Sequence, residues 1–390
     1  MKCRSFAALC AILACVSCSK KTARQARAPL DVAPLEKNTH TWYCFADGAI
    51  KEIDAPQHAP LQPEKPWTEA VRISSASSAL GDGAAAPNAY ALVNRVGVLV
   101  FSGSSFRLYA DAEIFANRTA GNLVFQNDTP VFSLYKSTFF NTTLDDAQNM
   151  HHFLVQFDVA QRLAYPLITC ADIGLASNSE VTDYVWDGNT FICSVKTVGE
   201  EKNEFTYLSV QPKVPLLTLS NANSRNNLLI SRVDTDAFRS LVAPAPFETA
   251  PARLKEVLAP LEEHATFFIT CRTAGGHSPR SYSNQHDSDA AHPFSGVALI
   301  ADTYVCALFN DGTTYIKGAL YGKHIMSNNA VRAFRLPRLP ADYEYSSFAI
   351  SGTTLYAAWE ETAFYKIRRS GFLSVDLDAV LYNSIAGGAF

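Results

Sequence analysis

Apolar residues along this 390-residue chain recur in short runs, not in a helical period. Runs of about four to eight residues, rich in Val, Ile, Thr, Phe and Tyr, alternate with Gly, Asp, Asn and Ser, as strands alternate with turns. In "TWYCFADGAIKEID" (41–54) the pair Asp47-Gly48 sits between two such runs and predicts a hairpin. Three more hairpins are predicted: around 158–161 in "HHFLVQFDVAQRLAYPLIT", at Asn310-Asp311-Gly312 in "TYVCALFNDGTTYIKGALYG", and at Ser370-Gly371 in "FYKIRRSGFLSVDL". One stretch reads as helix. "TAPARLKEVLAPLEEH" (249–264) places Leu254, Val257, Leu258 and Leu261 on one stripe, with Thr249 as cap, Pro251 in the first turn and Pro260 limiting its length.

One phrase is spelled three times: "VWDGNTFICSVKT" (185–197), "LIADTYVCALFND" (299–311) and "AISGTTLYAAWEE" (349–361). Each is a tight turn, then Thr, then an apolar run with small residues. That is the pattern of a turn feeding a strand buried on both faces. "FQNDTPVFSLYKS" (125–137) and "VNRVGVLVFSG" (93–103) are weaker echoes. Thr190, Thr303 and Thr354 stand 113 and 51 residues apart, and Pro130 stands 60 before Thr190. Since 113 is close to twice ~56, the period is on the order of the ~40–50 residues of a four-stranded propeller blade. The pattern resembles bacterial β-propellers. That resemblance implies six or seven four-stranded blades over residues 40–390, one short helical insert, and the hairpin 41–54 completing the last blade to seal the ring. No WD, kelch or sialidase motif accompanies it. Tandem β-sandwiches are the alternative all-β architecture.

Composition adds an address. The chain is 48% hydrophobic, enough for a large core, and its formal charge is -4, without the basic face of a nucleic-acid binder. "MKCRSFAALCAILACVSCSKK" opens with Lys2 and Arg4, then an apolar run from Phe6 to Ser17 that is too short to span a bilayer. The end of that run resembles a bacterial lipobox, in which a cysteine takes a diacylglycerol and becomes the mature N-terminus. Cys18 is the expected lipidated residue, in the relaxed spirochaete-like style, and Cys15 is the alternative. Residues 1–18 are then a lipoprotein signal peptide and 19–39 a flexible polar tether. The resemblance implies a protein held by lipid in the cell envelope, on the periplasmic or the surface side. The other cysteines, Cys44, Cys170, Cys193, Cys271 and Cys306, lie in strand-like runs and are expected to act as small core hydrophobes.

Candidate chemistry is sparse. Ser133-x-x-Lys136 fits a nucleophile pattern but has no companion motifs. His277, His286 and His292, with Asp287 and Asp289, cluster in a Ser- and Gly-rich stretch at spacings that match no metal motif; they are a tentative ligand loop. His151-His152 would point to opposite faces of a strand. Arg332, Arg335 and Arg338 recur every third residue, with Arg368-Arg369 further on, and suit carboxylate or phosphate groups unless they only charge a sheet edge. Trp186 and Trp359 adjoin the repeated phrase, which favours core packing over sugar stacking; Trp67 lies outside it. No catalytic residue, metal or cofactor is assigned. The expected function is an envelope lipoprotein scaffold that binds a protein partner, with no nucleic acid. The alternative is a ligand- or glycan-binding lipoprotein using the propeller funnel.

Overall fold

The computed structural model describes residues 32–46, 48–57, 71–74, 89–93, 96–110, 118–126, 129–136, 152–161, 163–176, 178–186, 189–199, 202–220, 222–242, 245–249, 268–271, 280–283, 294–300, 304–309, 312–318, 320–321, 324–325, 331–362 and 369–380, with Phe115 and Lys255 as single positions. Those residues are mostly strand, as the alternation predicts, and they fall into a succession of small sheets.

Sheet I is the meander Val71–Ser74, Ala89–Val93, Gly97–Ser102, Ser105–Ala110. Sheet II follows as Arg118–Gln126, Thr129–Lys136, His152–Asp158, Leu163–Thr169, and sheet III as Ser179–Trp186, Phe191–Thr197, Glu204–Pro212, Leu228–Val233. Sheet IV departs from the pattern: Ala245–Pro246 pairs in parallel with Arg280–Ser283, which pairs antiparallel with Phe268–Cys271. Sheet V is Phe294–Ile300, Tyr304–Phe309, Thr313–Gly318, Val331–Arg335, and sheet VI is Tyr343–Ser351, Thr354–Glu361, Ser370–Asp376.

The N-terminal segment finishes the last two sheets. Val32–Pro34 adds in parallel to Val331–Arg335 at the outer edge of sheet V, within the stretch expected to be tether. After a 3-10 turn at Lys37–Thr39, His40–Ala46 pairs antiparallel with Ser370–Asp376, and Ala49–Ile53 forms the outer strand of sheet VI. The hairpin expected at 41–54 is therefore present, with Gly48 at φ 72° in its turn, and it completes the sheet nearest the C-terminus.

The repeated phrase is the turn between the first two strands of sheets II, III, V and VI. In sheet I its echo falls one strand later, between Ala89–Val93 and Gly97–Ser102. That offset explains its irregular spacing from Pro130.

Consecutive sheets share cores. In sheet I, Ala89, Ala91, Leu99 and Phe101 pack against Tyr356, Ala358 and Phe372 of sheet VI. The alternate residues Tyr90, Leu92, Val98 and Val100 pack with Phe132, Val155 and Phe157 of sheet II. Period two thus buries both faces, which is why these strands read as continuous apolar runs. Sheet II meets sheet III through Val131, Leu154 and Ile168 against Tyr184, Phe191 and Val210. Sheet V meets sheet VI through Phe334 and Leu336 against Phe348, Leu355 and Trp359. Phe294–Ile300 also lies beside Phe268–Cys271 of sheet IV. Between sheets III and IV stands the helix Thr235–Val242, which touches Glu204–Pro212 and Arg280–Ser283 and stacks Phe238 on Tyr207 at 4.0 Å.

One expectation changes. Ser370-Gly371 is no turn: both residues lie inside Ser370–Asp376, and Gly371 faces the Trp359 ring where no side chain fits. The Thr249 hydroxyl donates to the Pro246 carbonyl at 2.7 Å in a 3-10 turn at Phe247–Thr249. The helix predicted over 249–264 lies outside the described residues except for Thr249 and Lys255.

A hydrogen-bond lock joins sheets VI and I. The Gly103 amide donates to Ser351 Oγ at 2.8 Å, Ser351 Oγ donates to the Phe101 carbonyl at 3.3 Å, and the Tyr356 hydroxyl donates to the Gly103 carbonyl at 2.8 Å. Tyr356→Phe leaves that carbonyl without its phenol and is expected to cost about 1–3 kcal/mol in urea denaturation. Tyr165→Phe, which removes an exposed hydroxyl bonded to Gln161, is expected to cost close to nothing in the same assay.

Candidate functional site

The connection from the outer strand of sheet V to the first strand of sheet VI builds the candidate site. Val331–Arg335 ends where Leu336 donates its amide to the Gly312 carbonyl at 2.9 Å. Gly312 needs its φ of 82° to close the turn predicted at Asn310-Asp311-Gly312. From there Pro337 and Pro340 keep the chain extended, and a turn at 341–342, closed by the Tyr343 amide donating to the Pro340 carbonyl at 3.0 Å, leads into sheet VI.

The bend encloses an open cleft of about 300 Å³, with Arg335 and Arg338 on one wall and Tyr343, Glu344 and Tyr345 on the other. Both arginines are exposed. Arg335 Nη2 donates to Thr313 Oγ1, its partner on the neighbouring strand, at 3.4 Å. The Tyr345 hydroxyl donates to the Pro337 carbonyl at 2.7 Å and anchors the floor. Tyr343 and Arg369 both donate to the Gln57 carbonyl, at 3.3 and 3.2 Å, and hold the start of the proline-rich stretch against sheet VI. Both phenol hydrogens are thus given to backbone carbonyls, and the donors left for a carboxylate or phosphate group are the guanidinium groups of Arg335 and Arg338, with Glu344 opposing them across the cleft.

Burial pushes the Tyr345 phenol far above its ordinary value, and burial does the same to Tyr356, helped by the nearby Tyr43. Tyr343 is raised as well, by burial first and then by Glu361, against an opposing pull from Arg369. A phenol whose folded value is raised contributes stability that is fully present below the unfolded value of about 10 and is lost as pH rises further. The phenols' contribution to stability is therefore expected to be constant below about pH 10 and to fall above it, by up to ~1.4 kcal/mol per pH unit for each buried phenol. Urea midpoints measured across the alkaline range check this, and Tyr345→Phe is expected to shallow the fall.

The other sequence candidates scatter. Cys15, Cys18, His277, His286 and His292 lie outside the described residues. Arg332 lies in Val331–Arg335, paired with Ile316, and of the Arg368-Arg369 pair only Arg369 is described. Ser133 and Lys136 lie in one strand, not on the helix turn that their pattern needs. Trp359 is 1% exposed in the core between sheets V and VI, so it stacks on no sugar. Cys193 is a core thiol, packed with the partly buried Cys170. Among the described residues, no three His, Cys, Asp or Glu side chains gather as a metal site, and no helix is long and apolar enough to cross a membrane. Tyr343 and Tyr345 were missed as site residues. Their alternation in "YEYSSFAIS" signals a strand, but nothing local signals that they back onto Arg335 and Arg338.

Residues 32–379 match a family described as "Family of unknown function (DUF8086)", a span that opens at the strand added to sheet V. The chain belongs to this family. This DUF8086 member is 24% identical over 417 residues to a protein of Treponema pallidum (strain Nichols) named "Uncharacterized lipoprotein", covering 90% of each chain. That likeness agrees with the spirochaete-like lipoprotein resemblance of its first twenty residues. Among solved structures it is similar to the β-propeller domain of Myceliophteria thermophila Cps50 (Swd1), at 8% identity and a TM-score of 0.25, over 79% of this chain and 97% of that one. A likeness at that level fixes no fold.

Proposed function

We propose that this chain is an envelope lipoprotein whose sheets form a six-bladed, propeller-like ring serving as a scaffold for protein contacts. Cys18 carries the lipid, with Cys15 as the alternative, and the residues before Val32 form the tether. The observation that carries the reading is the completion of sheet VI by the N-terminal hairpin. A ring of sequential meanders must bring its two chain ends to one sheet. Here His40–Ala46 pairs with Ser370–Asp376, while sheet VI shares a core with sheet I. The lipoprotein name of the Treponema relative and the leader of this chain support the anchor.

Two measurements test it. Mass spectrometry of the mature chain is expected to find an acylated N-terminal cysteine that Cys18→Ala removes; an unmodified chain sinks the anchor. Photo-crosslinkers placed on exposed sheet edges in intact cells are expected to trap a discrete envelope protein; no adduct from any edge sinks the scaffold.

The cleft favours a second reading, an anion-binding lipoprotein. Thermal shift against citrate, phosphate and neutral sugars separates the two. Stabilisation lost in Arg335→Ala and Arg338→Ala supports ligand binding at the cleft, and stabilisation lost in His286→Ala and His292→Ala moves the site to the 277–292 loop.

A further inference from the structure

We infer that the outer edge of sheet III, Leu228–Val233, takes up an extended acidic segment of a partner protein as an added strand. The inference rests on the scaffold reading and names the surface and the partner chemistry for it.

An open strand edge presents unpaired N–H and C=O groups, so proteins cover it or blunt it with proline, charge or brevity. Three other outer edges are treated that way, and that of sheet I, Ser105–Ala110, carries Arg107. Val32–Pro34 covers sheet V, Ala49–Ile53 ends sheet VI with Lys51 and Glu52 in the strand, and Leu163–Thr169 ends sheet II with Pro166 in its middle. Leu228–Val233 is the last strand of sheet III; it has no proline, its one charge is Arg232 next to its end, and among the described residues it pairs with Glu204–Pro212 on one side only.

Four consecutive residues of the strand, Leu229, Ile230, Ser231 and Arg232, are exposed. Successive side chains of a strand point to opposite faces, so both faces of this strand are open and not merely one. Leu229 is 54% exposed and Ile230 41%. Large aliphatic side chains on an uncovered edge are what strand addition uses: backbone hydrogen bonds supply affinity and alternate side chains supply selection.

Charge specifies the partner. From Phe205 to Val233 the sequence holds no Asp and no Glu, yet it holds Lys213, Arg225 and Arg232, in a chain whose net charge is negative. All three cations are exposed. A strand laid along this edge passes Arg232 directly, with Arg225 and Lys213 beyond its Leu228 end and the exposed Asp234 and Asp236 beyond its Val233 end, so the basic character lies towards Leu228. An acidic segment is attracted there and a basic one is repelled. The chain already carries out strand addition on itself at sheets V and VI; at sheet III the same geometry is left for another chain.

The test uses the full mature protein in detergent and a phage library of random twelve-residue peptides. Enriched peptides are expected to be acidic and rich in β-branched residues, and to protect the amides of 228–233 from hydrogen exchange. Their affinity is expected to fall at least tenfold in Arg232→Glu and in Ile230→Glu. Both substitutions replace exposed side chains, so unchanged melting temperatures can be verified first. Leu163→Glu, on the proline-blunted edge of sheet II, is expected to leave affinity unchanged. No enrichment, enrichment of basic peptides, or equal binding to the Arg232→Glu variant overturns the proposal. Protection of 228–233 by phosphatidylglycerol vesicles and not by peptides also overturns it, in favour of a lipid contact. An envelope protein crosslinked from other edges, with no peptide effect at 228–233, sinks strand addition while leaving the scaffold reading intact.

Discussion

Removing residues 40–53 is expected to leave a chain that no longer unfolds in one cooperative step. These residues supply two of the five strands of sheet VI. Their side chains work on both of its faces. Trp42 is buried in the core shared with sheet V, and Phe45 in the core shared with sheet I. Tyr43 stacks on Phe372 at 4.7 Å and meets Phe106 of sheet I edge-on at 4.9 Å. Losing one buried Trp or Phe side chain costs about 3–5 kcal/mol. Losing both, together with a strand ladder, consumes the ~5–15 kcal/mol by which a domain is stable. The check is urea unfolding followed by far-ultraviolet dichroism and by tryptophan fluorescence. A single sharp transition with an unchanged m-value would show that the hairpin is an ornament. A synthetic peptide of residues 40–53 added in trans is expected to restore cooperativity, because the site it leaves is a templated strand edge.

The physics of local signals explains what could be read from the chain. Turn chemistry acts over four residues, so Asp47-Gly48 and Asn310-Asp311-Gly312 announce hairpins that the structure contains, with Gly48 and Gly312 at positive φ. The repeated phrase marks first-to-second strand turns because each feeds a strand buried on both sides, as at Thr354–Glu361. Long-range contacts decide the rest. Ser370-Gly371 looks like a turn because Gly is common in turns, yet the cause of this Gly lies in Tyr43 and Trp359, remote in sequence. Val32–Pro34 is too short to show a period, and its pairing with Val331–Arg335 spans almost the whole chain. "TDAFRSLV" has eight residues, too few for an apolar stripe to stand out, and becomes helix where Phe238 can cover Tyr207. At the cleft, the spacing of Arg335 and Arg338 was legible as a basic patch; the tyrosines opposite them come from the next sheet. "LLISRV" reads as a core strand by composition, and only the sheet order reveals it as an edge.

Gly371→Ala tests how much of sheet VI depends on one missing methyl group. Gly371 pairs with Cys44 on one side and Trp359 on the other, in the middle of the five-stranded sheet. A Cβ placed there would collide with the Tyr43 carbonyl oxygen and would stand 2.5 Å from Trp359 Cζ2 and 2.8 Å from Cε2. Neither neighbour gives way easily. Tyr43 contributes backbone from the strand that completes the sheet, and Trp359 is wedged between two sheets at 1% exposure. Overpacking a core ordinarily costs about 1–3 kcal/mol; with backbone as the obstacle, Gly371→Ala is expected at the top of that range or above. Gly48→Ala is the comparison, since a Cβ at Gly48 meets nothing within 4 Å and only the φ of 72° is strained. It is expected to cost about 1 kcal/mol. Urea midpoints for the two variants should therefore separate widely; equal midpoints would mean that sheet VI yields at its centre. Adding Trp359→Leu to Gly371→Ala removes the aromatic obstacle and leaves the carbonyl. The double variant is expected to lose less than the sum of its parts, and the shortfall measures how much of the constraint belongs to the indole and how much to the N-terminal strand.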